Sequence, residues 1–459
     1  MAVERKKTQD FHVIAEGVST MKIEMAFHLR NIALLCPTQG FVPNGSLSVR
    51  DGIIIGRGIA PAPGDTVIDG KGALCLPGLI NSHNHSPLMS VRGMVEDLGF
   101  APAYTPGVPQ GHWLSEEETQ ILARLGVMEM LCAGATTIVD YYRMPDALAR
   151  AAEAFGLRAM IGGRVMDAQT QALANGRFVH DPELGEATLR AALDLVDTWD
   201  AKANDRISTI LAPHAPDTCS RQMLETFATL AAKTGKQVHT HLAQSPMEVA
   251  QVRAREGMSP SELLEDVGLL TSDLVAAHCI FLDAADIRRV GQAGVIVSHA
   301  PVGNAAFGAA APVLALQEAG AKITLCTDTK SADMFEAMRM AIATARWRAD
   351  MEFVLDAKTV FGWGTRDAAS ALKGHHGSGT LSTGSPADLV LLDPTAPNLR
   401  PVIDGYGIVV HSGSAANVTD VMVAGEWLVR HRRPTRVDMD AVIKDAQTVA
   451  EGLWARALA

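Results

Sequence analysis

A His-Asn-His triplet is the first feature of the sequence that indicates chemistry. His83 and His85 are two residues apart, so on an extended backbone their side chains point to the same side. Two imidazoles placed in this way can take neighbouring positions on one metal ion. Alone the triplet is a weak signal, because such a pair also occurs by chance in polar loops.

Further histidines and one aspartate close other apolar runs of the chain. These run ends are LAPHAP with His214, VHTHLAQ with His239 and His241, AAHCIF with His278, VSHAP with His299, and LCTDT with Asp328. From this set we predict one metal-binding group formed by His83, His85, His241 and Asp328. We expect His239, one layer deeper on its strand, to be a buried core histidine. We expect His278 to be either a further ligand or a proton carrier.

A carboxylate combined with imidazoles suits one divalent ion, with Zn²⁺ favoured and Fe²⁺, Mn²⁺ or Co²⁺ as alternatives. Such an ion with an open position lowers the pKa of bound water from about 16 to about 7. Asp328 would hold and deprotonate that water, and His278 would steady the nucleophile as it adds to an electrophilic carbon. A second carboxylate that protonates the leaving group would complete the site, but here the sequence offers Gln244, which cannot ionise. The predicted catalytic residues are therefore Asp328, His278 and Gln244.

These residues require a scaffold that brings many strand ends to one place. Short apolar strands alternate with amphipathic helices along most of the chain, as expected for strands covered on both faces. The predicted strands are residues 76–82, 136–142, 158–165, 207–213, 237–242, 274–279, 294–298 and 322–327. Eight such units predict an α/β fold, a closed (β/α)₈ barrel of the TIM type with its site at the carboxyl ends of the strands. The rival, an open doubly wound sheet, would carry a glycine-rich turn where this chain has His-Asn-His.

A smaller domain is predicted from both ends of the chain. Short strand-like runs separated by turns precede the barrel, and the strand pattern returns at residues 387–392, 406–410, 419–423 and 426–429. The predicted units are an N-terminal arm (1–25), a composite β-sandwich domain (26–75 and 384–438), the barrel (76–383) and a C-terminal helix (439–459).

Composition narrows the class of protein and the partners. The formal net charge of -11 argues against nucleic acid or an anionic membrane, because both require a basic surface. The longest uncharged stretch, residues 293–316, is interrupted by proline, glycine and histidine and does not suit a membrane helix. The six scattered cysteines form no CxxC pair. A cytoplasmic enzyme with a small-molecule substrate is therefore expected.

Taken together, the motifs resemble the amidohydrolase superfamily, in its branch of single-metal deaminases and chlorohydrolases. That branch includes S-adenosylhomocysteine/methylthioadenosine deaminases, triazine hydrolases, and phenylurea and molinate hydrolases. The similarity runs through VIDGKGALCLPGLINSHNH, LAPHAPDTCS, HTHLAQ, AAHCIF, SHAPVGNAAFG, TDTKSADMF and SPADLVLLD. The resemblance implies the same four metal ligands, a role for His278 in catalysis or in the metal shell, and a substrate contact for His214. Barrels of this branch often pair, so a homo-oligomer, a dimer or higher, is expected.

Departures from the branch bear on the substrate. Its deaminases carry a proton-shuttling glutamate where this chain has Gln244, and a ribose-binding glutamate where it has Gly111. The usual SHCPxSN becomes SHAPVGN, with His299 and Asn304 retained. Nucleoside deamination is therefore disfavoured at this stage.

We accordingly predict a metal-dependent amidohydrolase that hydrolyses a C–N bond of the urea, carbamate, thiocarbamate or amide type in a small, mostly uncharged substrate. An amide at Gln244 can donate a hydrogen bond to the carbonyl of such a substrate. The alternative is an aminohydrolase, a deaminase or dechlorinase, acting on a purine, pyrimidine or s-triazine ring. A non-catalytic metal-binding protein is disfavoured by the complete ligand set. The predicted substrate contacts are His214, Trp113, Tyr142, His299 and Asn304, with Tyr141 and Phe307 as further candidates for an aromatic pocket.

Overall fold

A computed structural model describes residues 26–98, 105, 107–109, 111–173, 175, 177–329, 331–350 and 353–458. The predicted N-terminal arm, residues 1–25, lies outside the described residues. In chain order the strands are β1 (Ala26–Cys36), β2 (Gly40–Arg50), β3 (Ile53–Arg57), β4 (Thr66–Asp69), β5 (Leu74–Pro77), β6 (Leu79–Asn84), β7 (Ala135–Tyr142), β8 (Arg158–Val165), β9 (Ile207–Pro213), β10 (Val238–Leu242), β11 (Leu274–His278), β12 (Ile296–His299), β13 (Lys322–Leu325), β14 (Leu389–Leu392), β15 (Val418–Val423), β16 (Glu426–Arg430) and β17 (Arg433–Pro434).

Helices cover the barrel and end the described chain. The α-helical segments are Val95–Leu98, Glu116–Cys132, Pro145–Phe155, Thr170–Leu173, Pro182–Trp199, Lys202–Asp205, Arg221–Thr234, Pro246–Glu256, Pro260–Asp266, Ala284–Gln292, Pro301–Ala306, Val313–Glu318, Met334–Arg348, Ala357–Trp363, Arg366–Ala371, Gly405–Ser412 and Met439–Leu458, and the 3₁₀ turns are Ser86–Val91, Gly111–Trp113, Pro397–Leu399 and Ala415–Asn417. Several starts are fixed by capping boxes, at Ser115, Ser259 and Asp283. Within the described residues, none of the helices combines the length and the hydropathy that crossing a bilayer requires.

Strands β6 to β13 form one parallel sheet in chain order, and this sheet closes where β13 returns to β6. The main-chain nitrogen of His85 donates to the oxygen of Asp328 at 3.0 Å, and the nitrogen of Asp328 donates to the oxygen of His83 at 3.1 Å. The predicted barrel is therefore confirmed. Because the closing hydrogen bonds involve the predicted metal ligands themselves, the first and last strands of the barrel hold those ligands together.

A β-bulge in β6 turns His83 and His85 into the barrel. Ile80 packs with the apolar residues of the barrel interior, so an unbroken strand would point the odd-numbered residues outward. Between Asn81 and Asn84, however, β6 advances by three residues while β7 advances by two. The extra residue reverses the alternation of the side chains, so the inward direction of the two histidines depends on this bulge.

An apolar plug fills the amino-terminal end of the barrel. It consists of Ile80, Val139, Met160, Ile210, Val275, Ile296, Ala368, Ala371 and Leu372. Gln237, which precedes β10, ties the plug to the strand: its Nε2 donates to the oxygen of Ala371 at 3.0 Å, and its Oε1 accepts from the nitrogen of Lys373 at 2.6 Å. This end is closed by packing, which leaves the carboxyl end of the barrel for chemistry.

The second sheet is built from both ends of the described chain. Its strand order is β17-β16-β15-β14-β5-β1-β2-β3, with β4 paired to β1, and it has a separate apolar core. A buried ion pair joins it to the barrel, with Arg158 Nε 2.9 Å from Asp388 Oδ2. The predicted fold class, a TIM-type barrel with a small β domain drawn from both chain ends, is confirmed. The domain limits given above stay a prediction.

The predicted barrel strand at residues 76–82 is in fact parts of two strands. β5 ends at Pro77 and pairs with β14 in the second sheet, while β6 starts at Leu79 in the barrel. Gly78 lies between them, where a Cβ atom would meet Thr136 Oγ1 at 2.0 Å. Only glycine fits at this point, and the Pro77-Gly78 pair marks in the sequence where the chain passes from one sheet to the other.

The predicted strand at residues 406–410 is wrong, because this segment belongs to the helix Gly405–Ser412. Asp404 begins the helix by accepting hydrogen bonds from the nitrogens of Tyr406 at 3.1 Å and Gly407 at 2.9 Å. Val409 and Val410 are buried in the helix. Tertiary packing thus outweighs the strand preference of this β-branched run.

Candidate metal centre

The carboxyl ends of the barrel strands place the predicted ligands side by side. Two overlapping groups have potential ligand atoms within 4.8 Å of one another: His83, His241 and His278, and His83, His85 and Asp328. Asp328 Oδ1 is 3.3 Å from His83 Nε2 and 3.8 Å from His85 Nε2. The four predicted ligands and His278 therefore meet at one place, which we call the His/Asp group.

The protons on two imidazoles are fixed by main-chain carbonyls. His85 Nδ1 is 2.8 Å from the oxygen of Tyr141, and His241 Nδ1 is 2.7 Å from the oxygen of His214. A carbonyl only accepts, so each Nδ1 carries the proton and each Nε2 keeps a lone pair. The two Nε2 atoms face each other at 3.2 Å. A divalent cation between them would satisfy both lone pairs, so the residues present fit a metal ion.

His239, which we expected to be a buried core histidine, supports His83. The Nδ1 of His83 lies 3.0 Å from His239 Nε2, and His239 is fully buried. The Nε2 of His83 is buried without a hydrogen-bond partner among the described residues and faces Asp328. Metal-binding histidines are commonly oriented in this way, by a partner on the nitrogen that does not bind the metal.

Burial favours the neutral, metal-binding form of two imidazoles, those of His85 and His241. It lowers the pKa of His85 to about 3, with a further contribution from His83, and lowers the pKa of His241 well below its usual range. Burial alone would raise the pKa of Asp328, but the adjacent imidazole of His83 and the other neighbouring histidines hold that pKa well below its usual range. Neutral imidazoles therefore lie beside an ionised carboxylate.

Strained backbone marks the strand ends that carry the group. The φ angles are 63° at Asp328, 72° at His278 and 48° at Ala243, in the left-handed region that residues other than glycine rarely adopt. Such strain persists only where the surrounding structure fixes it. Its concentration at three strand ends of one rim indicates that the position of these side chains is held at a cost in stability.

His278 stacks on His241 of the His/Asp group and is hydrogen-bonded to Asn304. Its ring stacks on that of His241 with centroids 5.3 Å apart, and its Nδ1 is 3.0 Å from Asn304 Oδ1. In the described part of the chain, Asn304 Nδ2 and both ring nitrogens of His299 are buried without a partner. Buried polar atoms are seldom left unpaired. We therefore expect these nitrogens of His299 and Asn304 to be available for hydrogen bonds with a ligand.

Gln244 follows β10 with its amide nitrogen unpaired. The residue is buried, and its Nε2 has no partner among the described residues. Its main-chain nitrogen donates to Glu248 Oε2 at 2.8 Å, and that of Ala243 donates to Glu248 Oε1 at 2.7 Å. Burial raises the pKa of Glu248, and nearby Asp217 adds to this. Glu248 thus fixes the turn that presents Gln244.

Comparison with known proteins identifies the family. The model of the family described as "Amidohydrolase family" matches residues 74–428, which includes the barrel and the whole His/Asp group. The chain belongs to the amidohydrolase family. The predicted family relationship is thereby confirmed.

Curated relatives of this amidohydrolase are deaminases. It is 31% identical to the 5'-deoxyadenosine deaminase of Methanosarcina mazei, over 92% of this chain and 96% of the relative. It is 32% identical to the 5-methylthioadenosine/S-adenosylhomocysteine deaminase of Desulforudis audaxviator, over 94% of this chain and 99% of the relative. The protein is therefore a hydrolase that acts on carbon–nitrogen bonds, as predicted.

Solved structures of similar proteins contain zinc. An adenosine deaminase from Xanthomonas campestris with bound zinc superimposes with a TM-score of 0.82 at 25% identity, covering 94% of this chain and 98% of that chain. An atrazine chlorohydrolase from Arthrobacter aurescens TC1 complexed with zinc gives a TM-score of 0.80 at 21% identity, covering 92% and 100%, and supports the fold. A single divalent metal ion fits the His/Asp group of this amidohydrolase.

The structure brings His214 to the group, while Tyr142 faces away. The ring of His214 lies 4.8 Å from that of His241, and its Nδ1 is 2.8 Å from Thr218 Oγ1. Tyr142 is buried on the other side of β7, with its ring 4.9 Å from the guanidinium carbon of Arg164. Trp113 lies in a 3₁₀ turn and is 37% exposed. The substrate contacts of these residues stay predictions.

Sequence reasoning missed two features beside the group. The hydroxyl of Tyr141 is 2.8 Å from His241 Nδ1. Tyr141 thus contacts a proposed metal ligand, whereas we had expected it only to line an aromatic pocket. Arg164 is in β8, and its positive charge contributes, after burial, to the low pKa values of His214 and His85. For Arg164, the available signal was an arginine near the carboxyl end of a predicted barrel strand.

Proposed function

We propose that this amidohydrolase removes the amino group of an aminopurine or related aminoheterocycle by hydrolysis. The observation that carries the proposal is the pair of facing imidazole lone pairs of His85 and His241 beside Asp328. The relatives support the ring-deaminating alternative over the urea, carbamate or amide interpretation, because both are named as deaminases of adenosine derivatives.

We infer the metal ligands from the potential donor atoms. His83, His85, His241 and Asp328 would hold the ion, and its chemistry there is to bring the pKa of bound water towards neutrality. His278 donates through Nδ1 to Asn304 Oδ1, so its Nε2 is an acceptor. It can therefore serve as a further ligand or take a hydrogen bond from the attacking water.

Asp328 is our proposed proton carrier. Within the described residues it is the only carboxylate whose oxygens contact the imidazoles of the group. It accepts one proton from the attacking water and returns it to the leaving nitrogen. The water oxygen bonds to the ring carbon, the bond from that carbon to the amino nitrogen breaks, and ammonia leaves.

Gln244 binds the ring without transferring a proton. Its unpaired Nε2–H group can donate to a ring nitrogen, whereas a carboxyl group there could also protonate that nitrogen. The reaction in this chain should therefore favour rings that are electron-poor enough to accept the nucleophile while only hydrogen-bonded.

The region around Gly111 favours recognition of the ring over recognition of a sugar. A Cβ atom at Gly111 would meet the hydroxyl of Tyr142 at 2.3 Å, so a side chain cannot occupy this position unless Tyr142 moves. The ribose-binding glutamate expected there from the resemblance is absent. We therefore propose that the ring carries most of the recognition.

The side-chain amide of Gln244 also favours a second candidate function, the hydrolysis of a urea, a carbamate or an amide. The Nε2–H group of Gln244 is a donor suited to a substrate carbonyl oxygen, and such substrates need no protonated ring nitrogen. The attacking water would then add to the carbonyl carbon of the substrate instead of to a ring carbon.

Product release from a defined substrate panel separates the two functions. Ammonia and amines are measured with zinc-loaded enzyme on aminopurines and their nucleosides, amino-s-triazines, phenylureas, thiocarbamates and amides. We expect ammonia from an aminoheterocycle, and an increase of about 10- to 100-fold in Gln244→Glu. Amine release from ureas or carbamates alone, with no increase in Gln244→Glu, would establish the second function instead. Hydrolysis of none of these compounds would refute both.

A further inference from the structure

The geometry points to Tyr141 as a positioning residue of the metal centre. We propose that it orients two ligands at once, His85 through its main-chain carbonyl and His241 through its phenol hydroxyl. The inference rests on the proposed metal site, but it concerns how tightly the metal is held rather than which bond is hydrolysed.

Tyr141 is packed among the histidines of the metal centre. It is fully buried, and its ring centroid is 4.7 Å from that of His85, 5.5 Å from His83 and 5.0 Å from His239. Gly162 is its partner on β8, and a Cβ atom there would lie 2.9 Å from the Cβ of Tyr141. The barrel interior therefore has room for this phenol because the neighbouring strand carries a glycine.

The carbonyl of Tyr141 fixes the first ligand. The 2.8 Å contact with His85 Nδ1 commits that nitrogen as a donor, and Nε2 is thereby presented to the metal. This contact comes from the main chain of β7, so it persists whatever side chain stands at this position.

The hydroxyl of Tyr141 fixes the second ligand. His241 Nδ1 is 2.7 Å from the oxygen of His214, which takes the Nδ1 proton because a carbonyl can only accept. The Tyr141 hydroxyl lies 2.8 Å from the same Nδ1 and 3.2 Å from Nε2, so it contacts both nitrogens of the ring. The phenol oxygen thus limits rotation of the imidazole from a direction that the carbonyl does not cover.

Loss of the hydroxyl should loosen the metal without removing a ligand. Partners that orient metal-binding histidines typically contribute about 10- to 100-fold in metal affinity. Phenylalanine keeps the ring packing and the main-chain carbonyl, so Tyr141→Phe isolates the hydroxyl. Tyr142→Phe is the matched control, because Tyr142 is the next residue of the same strand and packs in the apolar core with Leu122 and Ala149 rather than against the histidines.

The test is the zinc affinity of the full chain, measured by competition with a chromophoric chelator. We expect zinc binding about 10- to 100-fold weaker in Tyr141→Phe and unchanged in Tyr142→Phe. The visible spectrum of the cobalt(II)-loaded protein gives a second readout, and its bands should change in Tyr141→Phe but not in Tyr142→Phe. A purely structural role for the hydroxyl would lower the thermal stability of the metal-free protein and leave both readouts unchanged.

The outcomes distinguish this inference from the proposed function. A wild-type protein that binds no zinc would refute the metal site and the function with it. Wild-type zinc affinity and an unchanged cobalt spectrum in Tyr141→Phe would overturn the role of Tyr141 alone. Equal weakening in Tyr142→Phe would overturn it as well, because the effect would then belong to the strand. Should Tyr141→Phe fail to fold, Tyr141→Met, which also keeps the carbonyl, is measured under the same criteria.

Discussion

Two buried glutamines on either side of β10 show how the ends of the barrel differ. Gln237 precedes the strand and Gln244 follows it, with 3% and 4% of their surfaces exposed. Both amide atoms of Gln237 are hydrogen-bonded to main chain of the plug. The Nε2 of Gln244 has no partner in the described part of the chain. Equal burial thus has opposite meanings: the first glutamine holds the structure together, and the second is available to a ligand.

The same contrast extends to the backbone around each glutamine. The amino-terminal end is packed with the apolar side chains of the plug, whereas the carboxyl end has left-handed residues at Ala243, His278 and Asp328. Strain and unpaired polar atoms reduce stability. One end of the barrel therefore contributes the stability that allows the other end to keep a strained, polar site.

Asp328→Asn should have the largest effect on activity. Loss of the carboxylate removes a proton carrier, and we expect kcat/KM to fall about 1000-fold. Asp273→Asn is the matched control at the amino-terminal end, where Asp273 Oδ1 pairs with Lys373 Nζ at 2.6 Å. Steady-state kinetics should show less than about a twofold change in that control. Similar losses in the two variants would remove the distinction between the ends.

Gln244→Leu should lower activity without lowering stability. Removal of one hydrogen-bond donor to the reacting group costs about 100-fold in kcat/KM. The free energy of unfolding should stay the same or rise, because an unpaired buried amide is replaced by an apolar group. Kinetics and urea unfolding of the same preparation check both. A clear loss of stability would show that Gln244 has a structural partner after all.

Glu248→Gln should act through Gln244. The substitution leaves one of two main-chain N–H groups facing another donor, and displacement of the turn should lower kcat by about tenfold. In a Gln244→Leu background the same substitution should have little further effect on kcat, because coupled residues are not additive. A double-mutant cycle measures this, and full additivity would contradict it.

Gln237→Leu should have the smallest effect on activity and a clear effect on stability. It leaves the oxygen of Ala371 and the nitrogen of Lys373 without their partner, which we expect to lower the free energy of unfolding by about 2–3 kcal/mol. The value of kcat/KM should stay within about twofold of the wild type. Urea unfolding and steady-state kinetics measure the two quantities. A Gln237→Leu variant that lost activity and kept its stability would contradict the structural role of the amino-terminal end.

The sequence predicts that the proposed ligands come together, because barrel strands end at one rim. His-Asn-His, His-Thr-His and Thr-Asp-Thr each follow an apolar run, and parallel strands bring such ends together. The bulge that aims His83 and His85 inward could not be predicted, because it depends on the register of β6 against β7. The sequence reports alternation within a strand but not the pairing that interrupts it.

Tyr141 and Tyr142 show a second limit of the sequence. Every residue of β7 is buried, so burial gives no indication of which tyrosine faces the barrel interior. The sequence suggested both tyrosines for an aromatic pocket and Tyr142 as a substrate contact, which stays a prediction, whereas the structure places the hydroxyl of Tyr141 on His241. For strands covered on both faces, the inward side is set by packing against other strands and helices.

Metal content per chain tests the central claim most directly. Wild type, His241→Ala and Gln237→Leu are purified in parallel, supplied with zinc, dialysed and analysed by mass spectrometry of the metal. We expect about one zinc per chain in the wild type and in Gln237→Leu, and a large loss in His241→Ala. A wild-type protein that retains no metal, or a His241→Ala variant that retains as much as the wild type, would contradict it.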